Sequence, residues 1–478
     1  MANNFTGFLK HGGNYLIASA ATSALAFISI PIYTRLLSPE DYGVVSIFMG
    51  IVGLLASVMA FSTDRSVSRY FFDQKDELDF KRFVGTTSIL AIGFFIINSF
   101  LLILFANEFG NLVGLNKEVV YLIIPMSIVN IVGLTFEQIY GPLKRSKEIA
   151  LSSVIRVFLG FAFSVGFIFV FKKDKFYGQI LGQIVAGFCA VFFWIRLIRP
   201  YFNWSFEKSY IKYIFMYSVP LIPYALSGVI IEQFGKIAIG GSQGLSQAGF
   251  YNLALAVSSI VNIAITVTHQ AWNPYYFEYM NSKNYEQLDK DFIKIFKLTI
   301  LIAFGVACFG KEIGLLLAKK EFSGAFYLIP VFTIGYVFSQ FSYAYIRNFG
   351  YTKKTQYMTI TILVSGISNV LLNVFLIKPL GELGAAISFV ISYVIMTILA
   401  WGINNYFVKL HSTPIKQLIV PLIITSPFYI LLYFLMDIKS IFLAIIIKSF
   451  FYCLIVLIIF WRERKEILLL SKKTLKRA

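Results

Sequence analysis

The chain has 478 residues, 58% of them hydrophobic and 17% aromatic against only 14% charged, and its mean hydropathy is +0.75. That balance excludes a soluble protein of this size and leaves no stretch polar enough for a water-soluble domain. A net charge of +18 would point to nucleic acid in a soluble chain; here it reads as basic loops gathered on one membrane face, and no nucleic-acid partner is expected.

Apolar runs of about 18–20 residues, the length that spans a bilayer, recur from end to end. Fourteen transmembrane helices are expected, over 12–37, 41–72, 80–107, 117–142, 148–171, 177–199, 210–240, 246–279, 291–318, 323–349, 354–377, 381–408, 415–436 and 440–461. The first follows a short polar start (MANNFTGFLKHGG), and the small-residue triplet Ala18-Ser19-Ala20 falls inside the apolar run, so an uncleaved first helix is expected rather than a signal peptide. With the N-terminus inside, 26 of the 42 Lys and Arg fall in cytoplasmic segments and 10 in outer ones. That asymmetry places both termini in the cytoplasm. The other six, Arg65, Arg69, Arg156, Lys236, Lys297 and Lys448, lie within helices or at their ends.

The second helix is entered through RLLSPEDYG, where Arg35 precedes a helix-stopping Pro39, and it carries Asp64, Arg65 and Arg69 at its far end. Arg65 and Arg69, four apart, share one helical face, and like charges at that spacing repel unless an anion sits against them. Snorkelling of both to headgroups is the competing reading. Helix 4 contributes Glu137 and helix 5 Arg156, which pair with each other or act separately. In helix 7, Pro220 and Pro223 remove backbone donors and should kink the helix into a hinge. Two turns on, Glu232 and Lys236 stand at the i,i+4 spacing of a locked ion pair or of two cavity groups. Helix 8 carries His269-Gln270, and Lys448 in the last helix reads as a snorkelling residue facing lipid.

A repeat runs through this order. Leu37-Ser38 matches Leu245-Ser246, Arg69-Tyr70-Phe71 falls on Tyr275-Tyr276-Phe277, and Gly178-Gln179-Ile180-Leu181-Gly182 resembles Gly381-Glu382-Leu383-Gly384. His269-Gln270 then occupies the place of Thr63-Asp64. Two six-helix copies in the same orientation imply an all-α integral membrane protein of two lobes related by a pseudo-two-fold axis along the membrane normal, an alternating-access plan. The boundaries are 1–200 for the first lobe, 201–409 for the second, and 410–478 for two further helices with a basic cytoplasmic tail.

Enzyme signatures are missing: no GK[ST] phosphate loop, no HExxH, and no outer loop large enough for a membrane glycosyltransferase or polymerase site. Cys189, Cys308 and Cys453 lie singly in apolar runs, so neither a disulfide framework nor a metal site is expected. No enzyme activity and no cofactor are expected.

The segment NYLIASAATSALAFISIPIYTRLLSPEDYGVVSIF resembles the first two helices of the polysaccharide-transporter (Wzx-type flippase) family, within the multidrug/oligosaccharidyl-lipid/polysaccharide exporter superfamily. KRSKEIA after helix 4 and GYTKKTQY after helix 10 resemble that family's basic inter-helix loops. The resemblance implies a bacterial cytoplasmic-membrane flippase that moves an undecaprenyl-diphosphate-linked oligosaccharide from the inner to the outer leaflet, with polysaccharide polymerase and chain-length proteins as partners. It matches Arg65, Arg156 and Lys236 to the diphosphate and glycan, with Arg69, Arg35, His269 and Gln270 as further cavity residues. Asp64, Glu137 and Glu232 are then the acids for coupling to H+ or Na+, unless the membrane potential drives transport. The extra helix pair resembles the lipid II flippase branch, where it forms a groove for the lipid tail. A cation-coupled drug exporter of the MATE kind is the other alternative.

Overall fold

The computed structural model describes residues 21–435 and 440–460, and every regular element among them is helical. An apolar solvent leaves backbone groups nothing to bond outside their own segment, so helices are the form this sequence can take. They run as α1 (21–36), α2 (Pro39–Met59), α3 (Arg65–Tyr70), α4 (Glu77–Leu104), α5 (Ala106–Val113), α6 (Lys117–Tyr121), α7 (Ile123–Tyr140), α8 (Ser146–Val170) and α9 (Phe176–Ile198). Then follow α10 (Lys208–Ser218), α11 (Leu221–Ser242), α12 (Leu245–Ser282), α13 (Tyr285–Leu317), α14 (Ile329–Tyr351), α15 (Thr355–Ile403), α16 (Ile415–Leu435) and α17 (Ile441–Ile459). Large apolar side chains turn outward along them, Phe100 64% and Phe192 80% exposed, as befits a chain whose surroundings are hydrocarbon.

Among the described residues, eleven helices are long and apolar enough to cross a membrane, and twelve if the bent pair α10–α11 is one span. The fourteen expected is not the number these criteria return. α15, with 49 residues, is about 70 Å long at 1.5 Å per residue, more than twice a ~30 Å hydrocarbon core. It covers both predicted spans 354–377 and 381–408, divided where Gly381 adopts φ 57°, ψ −138°. Part of the predicted first helix, and the basic tail from 461 on, lie outside the described residues.

Two local expectations are corrected. Pro39 opens α2 at its first position, where a missing N–H costs nothing. Ser38 caps that end by accepting from the Asp41 N–H at 3.1 Å while its own N–H donates to Asp41 Oδ2 at 3.2 Å, a capping box spelled by the SPED run. The second predicted helix, 41–72, is not continuous: it breaks over residues 60–64, where Phe61 and Ser62 take left-handed backbone at φ 54° and 50°.

The chain forms two compact units: Met1–Asn252 with Leu317–Phe322 and Ile362–Ser388, and Leu253–Leu316 with Ser323–Thr361 and Phe389–Ala478. In the first, α3, α4, α7, α9 and α10 enclose an aromatic core in which Tyr70 stacks on Phe83 at 3.7 Å, beside Phe136, Tyr140 and Trp194. α8 and α9 form a close hairpin because Gly178 and Gly182, one turn apart, face the backbone of Phe167–Ile168 and Phe163–Ser164.

The basic loops that open α8 and α15 share one local conformation. Lys144 and Lys353 both have φ 58°, and the residues that follow, Arg145 (φ −90°, ψ 54°) and Lys354 (φ −89°, ψ 56°), are nearly superposable. In each loop the second residue's N–H bonds a carbonyl five residues back, Arg145 to Tyr140 and Lys354 to Phe349. KRS and KKT are the same turn written twice.

Candidate functional site

The break in the second span positions the first group of charges. Its freed carbonyls do not go unpaired: Asn98 of α4 donates to Met59 O at 3.3 Å and Val58 O at 3.4 Å, and Thr63 and Ser66 hydroxyls donate back to Ala60 O and Thr63 O. Left-handed backbone at two successive non-glycine residues stores strain, and such strain concentrates at functional positions. It delivers Asp64, only 6% exposed, to the head of α3. Asp64 feels the charge of Arg65, and Glu137 of α7 feels both Asp64 and Arg156 of α8. Two carboxylates and two guanidinium groups from three helices thus form one electrostatic cluster, with Arg65 and Arg156 half-buried and Glu137 exposed.

Arg69, one turn beyond Arg65, has its anion already. Its guanidinium pairs with Asp73 at 3.2 Å on a face where both side chains are well exposed, 51% and 36%. Nearby, Tyr213 donates to Asp73, while Tyr70 and Tyr210 donate to the two oxygens of Asp79 at 2.9 and 2.6 Å. Burial pushes the Tyr70 hydroxyl above its ordinary range, and the Asp79 carboxylate it donates to adds to the shift. Arg35 is exposed in the last turn of α1.

A second group lies on α11. Lys236 is 6% exposed, and its ammonium donates to Asn252 Oδ1 of α12 at 3.3 Å. Gly50 of α2 makes room for its stem, since a Cβ there would stand 2.8 Å from Lys236 Cε. Glu232, half-buried, acts on Lys236 through charge alone, so the sequence spacing gives proximity without a locked contact. α10 and α11 meet at a 40° bend with Pro220 at the junction and Pro223 in the first turn beyond it.

In the second unit the structure brings His269 to a residue that the sequence does not single out. Arg347 of α14 bonds His269 Nδ1 through Nη2 and lies over the ring of Trp272 at 4.2 Å, with Phe292 at 5.4 Å and Tyr276 at 5.7 Å. Gln270 faces away, exposed. The only signal in the sequence was position: Arg347 falls in the last turns of an apolar helix rather than beyond it.

Lys448 is a correction. It does not face lipid: its side chain is 1% exposed, and its ammonium bonds both oxygens of Glu312, at 2.6 and 2.9 Å. Burial of an ammonium is tolerable only with such a partner. This pair ties α17 to α13, and at the opening turns of α13 a cleft of about 950 Å³ runs between α13, α16 and α17. Its walls include Val420, Ile424, Leu454 and Leu457, with Lys297 and Lys416 also lining it.

These elements make an all-helical fold shared with solved membrane-transport proteins. The solved structure of a lipid II flippase, MurJ, in an inward closed conformation superposes with a TM-score of 0.71 over 93% of this chain and 98% of that one, at 14% identity. The family model described as a polysaccharide biosynthesis protein matches residues 8–280, more than half of the chain, which therefore belongs to that family. The Lsg locus putative protein 1 of Haemophilus influenzae is 24% identical over 334 residues, 67% of this chain and 79% of its own. A putative O-antigen transporter of Shigella flexneri is 22% identical over 409 residues, 80% of this chain and 94% of its own.

Proposed function

We propose that this protein is a flippase that carries an undecaprenyl-diphosphate-linked oligosaccharide across the bacterial cytoplasmic membrane by alternating access. The observation that carries the reading is the cluster at the broken second span. Arg65 and Arg156 present half-buried guanidinium groups, fork-shaped donors suited to a diphosphate, inside a family of polysaccharide biosynthesis proteins. Lys236, next to α2, is the third cationic contact. Asp64 and Glu137 keep these cations from being an unbalanced field and are the groups through which a cation would couple.

The glycan occupies polar space while the prenyl chain stays in hydrocarbon, with the cleft between α13, α16 and α17 as the groove for part of that chain. Reciprocal packing of glycines supports the two-lobe plan: Gly43 faces Leu245 O, and Gly249 faces Pro39 O. Those glycines are 206 apart, the repeat offset, and a two-fold axis produces that kind of exchanged contact. The break at Pro220 and Pro223 is the hinge of the rocking motion.

The test is translocation in liposomes that carry a fluorescent undecaprenyl-diphosphate oligosaccharide, read as label that becomes accessible on the opposite leaflet. Protein-dependent translocation lost in Arg156→Ala is the expected result. Efflux of a cationic dye without lipid translocation would move the assignment to a drug exporter, and translocation of lipid II alone to the peptidoglycan branch.

A further inference from the structure

We infer that the segment joining the two repeats, residues 199–207, and the first half of the seventh span, α10, are stapled to α3 and α4 and travel with the first repeat. Relative motion of the repeats then begins only at Pro220. By the sequence repeat, α10 belongs to the second copy. Its bonds are to the first.

The joining segment lies along the opening turns of α4 at backbone distance. Asn203 N–H donates to Lys81 O at 3.2 Å, and Ser205 Oγ donates to Arg82 O at 3.3 Å. Gly85 is what lets the two backbones meet, since a Cβ there would stand 1.8 Å from Asn203 O. Thr86, 0% exposed, uses its hydroxyl twice, donating to Ser205 O at 3.2 Å and accepting from the Glu207 N–H at 3.1 Å. Peeling the segment away would strand that buried hydroxyl, which costs more than an ordinary exchange of partners.

The helix that follows is held by its side chains. Tyr210 and Tyr213, three apart and so on one face of α10, donate to Asp79 at 2.6 Å and to Asp73 at 2.7 Å. Each carboxylate is also gripped from its own side. Asp79 accepts from the Tyr70 hydroxyl and the Lys75 N–H at 2.9 and 3.0 Å, and Asp73 pairs with Arg69 at 3.2 Å. Hydrogen bonds to a carboxylate are of the stronger, charge-assisted kind. The rings of Tyr210 and Tyr213 stand edge-on to Tyr70, with centroids 5.6 and 5.1 Å away, so polar and apolar contacts hold the same face.

Past Pro220 the contacts change in kind. Where α2 faces α11 at Gly53, the nearest atom is Val229 Cγ1 at 3.7 Å, an apolar contact that parts without stranding a polar group. Pro220 and Pro223 have no N–H to offer the carbonyls of Met216 and Val219, four residues back, so the helical ladder loses two bonds at the 40° bend. The staple ends where the helix is softest.

The inference rests on the alternating-access reading for the existence of a motion, and its test separates the two. Hydrogen exchange of the wild-type protein in nanodiscs needs no transport. The amides of 208–216 are expected to exchange as slowly as those of 80–88 in α4. Thr86→Val is expected to speed exchange over 203–210 about tenfold, as the loss of two hydrogen bonds predicts, and to leave the distant α13 unchanged. Exchange of α10 at the rate of an open loop overturns the staple, as does a Thr86→Val variant without effect over 203–210.

Crosslinking decides the mechanical half. Asp73→Cys with Tyr213→Cys, in a chain whose native Cys189, Cys308 and Cys453 are replaced by alanine, is joined with a bifunctional thiol reagent and compared with the same protein before joining. An unchanged translocation rate is expected. A loss of about tenfold or more means that α10 must leave α3 and α4 in each cycle, and overturns the inference. Arg82→Cys with Glu207→Cys, at a partly exposed ion pair of 3.4 Å, serves where the first pair fails to fold. In a protein that moves no lipid the flippase reading fails, and the exchange measurement still decides whether the staple exists.

Discussion

Lys448 and Glu312 bury opposite charges 2.6 Å apart, so removing either one alone strands the other. Lys448→Met is expected to lower stability by about 3–5 kcal/mol, and the double variant Lys448→Met, Glu312→Met to recover most of that, because a buried pair is often replaceable by apolar side chains while half a pair is not. Thermal unfolding of the two single variants and the double one decides it; additive losses would mean that the two side chains do not depend on each other. At this scale the sequence was legible only in part. It flagged Lys448 and His269 as charges or polar groups in apolar helices, but one of the partners, Glu312, sits beside Lys311 near a predicted helix end, where a charge reads as an interfacial residue. Arg347 was hidden the same way, a few residues before Lys353-Lys354. Pairing across 136 residues in one case and 78 in the other is a property of packing, and spacing along one helix carries none of it.

At the scale of elements, the α8–α9 hairpin depends on which glycines face a neighbour. Gly182 has Ser164 backbone against its missing side chain, whereas Gly166 on the facing helix has nothing within 4 Å. Gly182→Val is expected to cost about 1–3 kcal/mol or more through forced backbone displacement, and Gly166→Ala to be neutral or to stabilise by up to about 1 kcal/mol through helix propensity. Equal thermal midpoints for the two variants would overturn this account of the hairpin.

Pro220 and Pro223 make a second test. Straightening the 40° bend with the double variant Pro220→Ala, Pro223→Ala should slow translocation, and a wild-type rate would remove the hinge. This bend was legible because proline announces itself. The break at 60–64 was not, since no glycine or proline marks it; the run Ser62-Thr63-Asp64, three residues that favour helix N-caps over helix interiors, was the available signal.

Across the whole molecule the sequence carried the most. A hydropathy that only lipid can accommodate, a turn written as KRS and again as KKT, and a repeat offset near 206 gave the membrane class and the family; the two spans expected over 354–377 and 381–408 run on as one helix divided at Gly381. The same scale holds the question of energy. Asp64 and Glu137 are two carboxylates in one cluster with Arg65 and Arg156, and binding a doubly or triply negative diphosphate to those cations would leave the carboxylates facing added negative charge. A cation taken up with the substrate relieves that repulsion, so transport is expected to be ion-coupled through Asp64. In liposomes, an imposed inward-to-outward difference in H+ or Na+ should accelerate wild-type translocation severalfold and have no effect on Asp64→Asn, which should still exchange label between leaflets at the ungraded rate. Acceleration by membrane potential alone, equal in wild type and Asp64→Asn, would assign the driving force to the net charge of the moving substrate and leave the carboxylates as partners of Arg65 and Arg156.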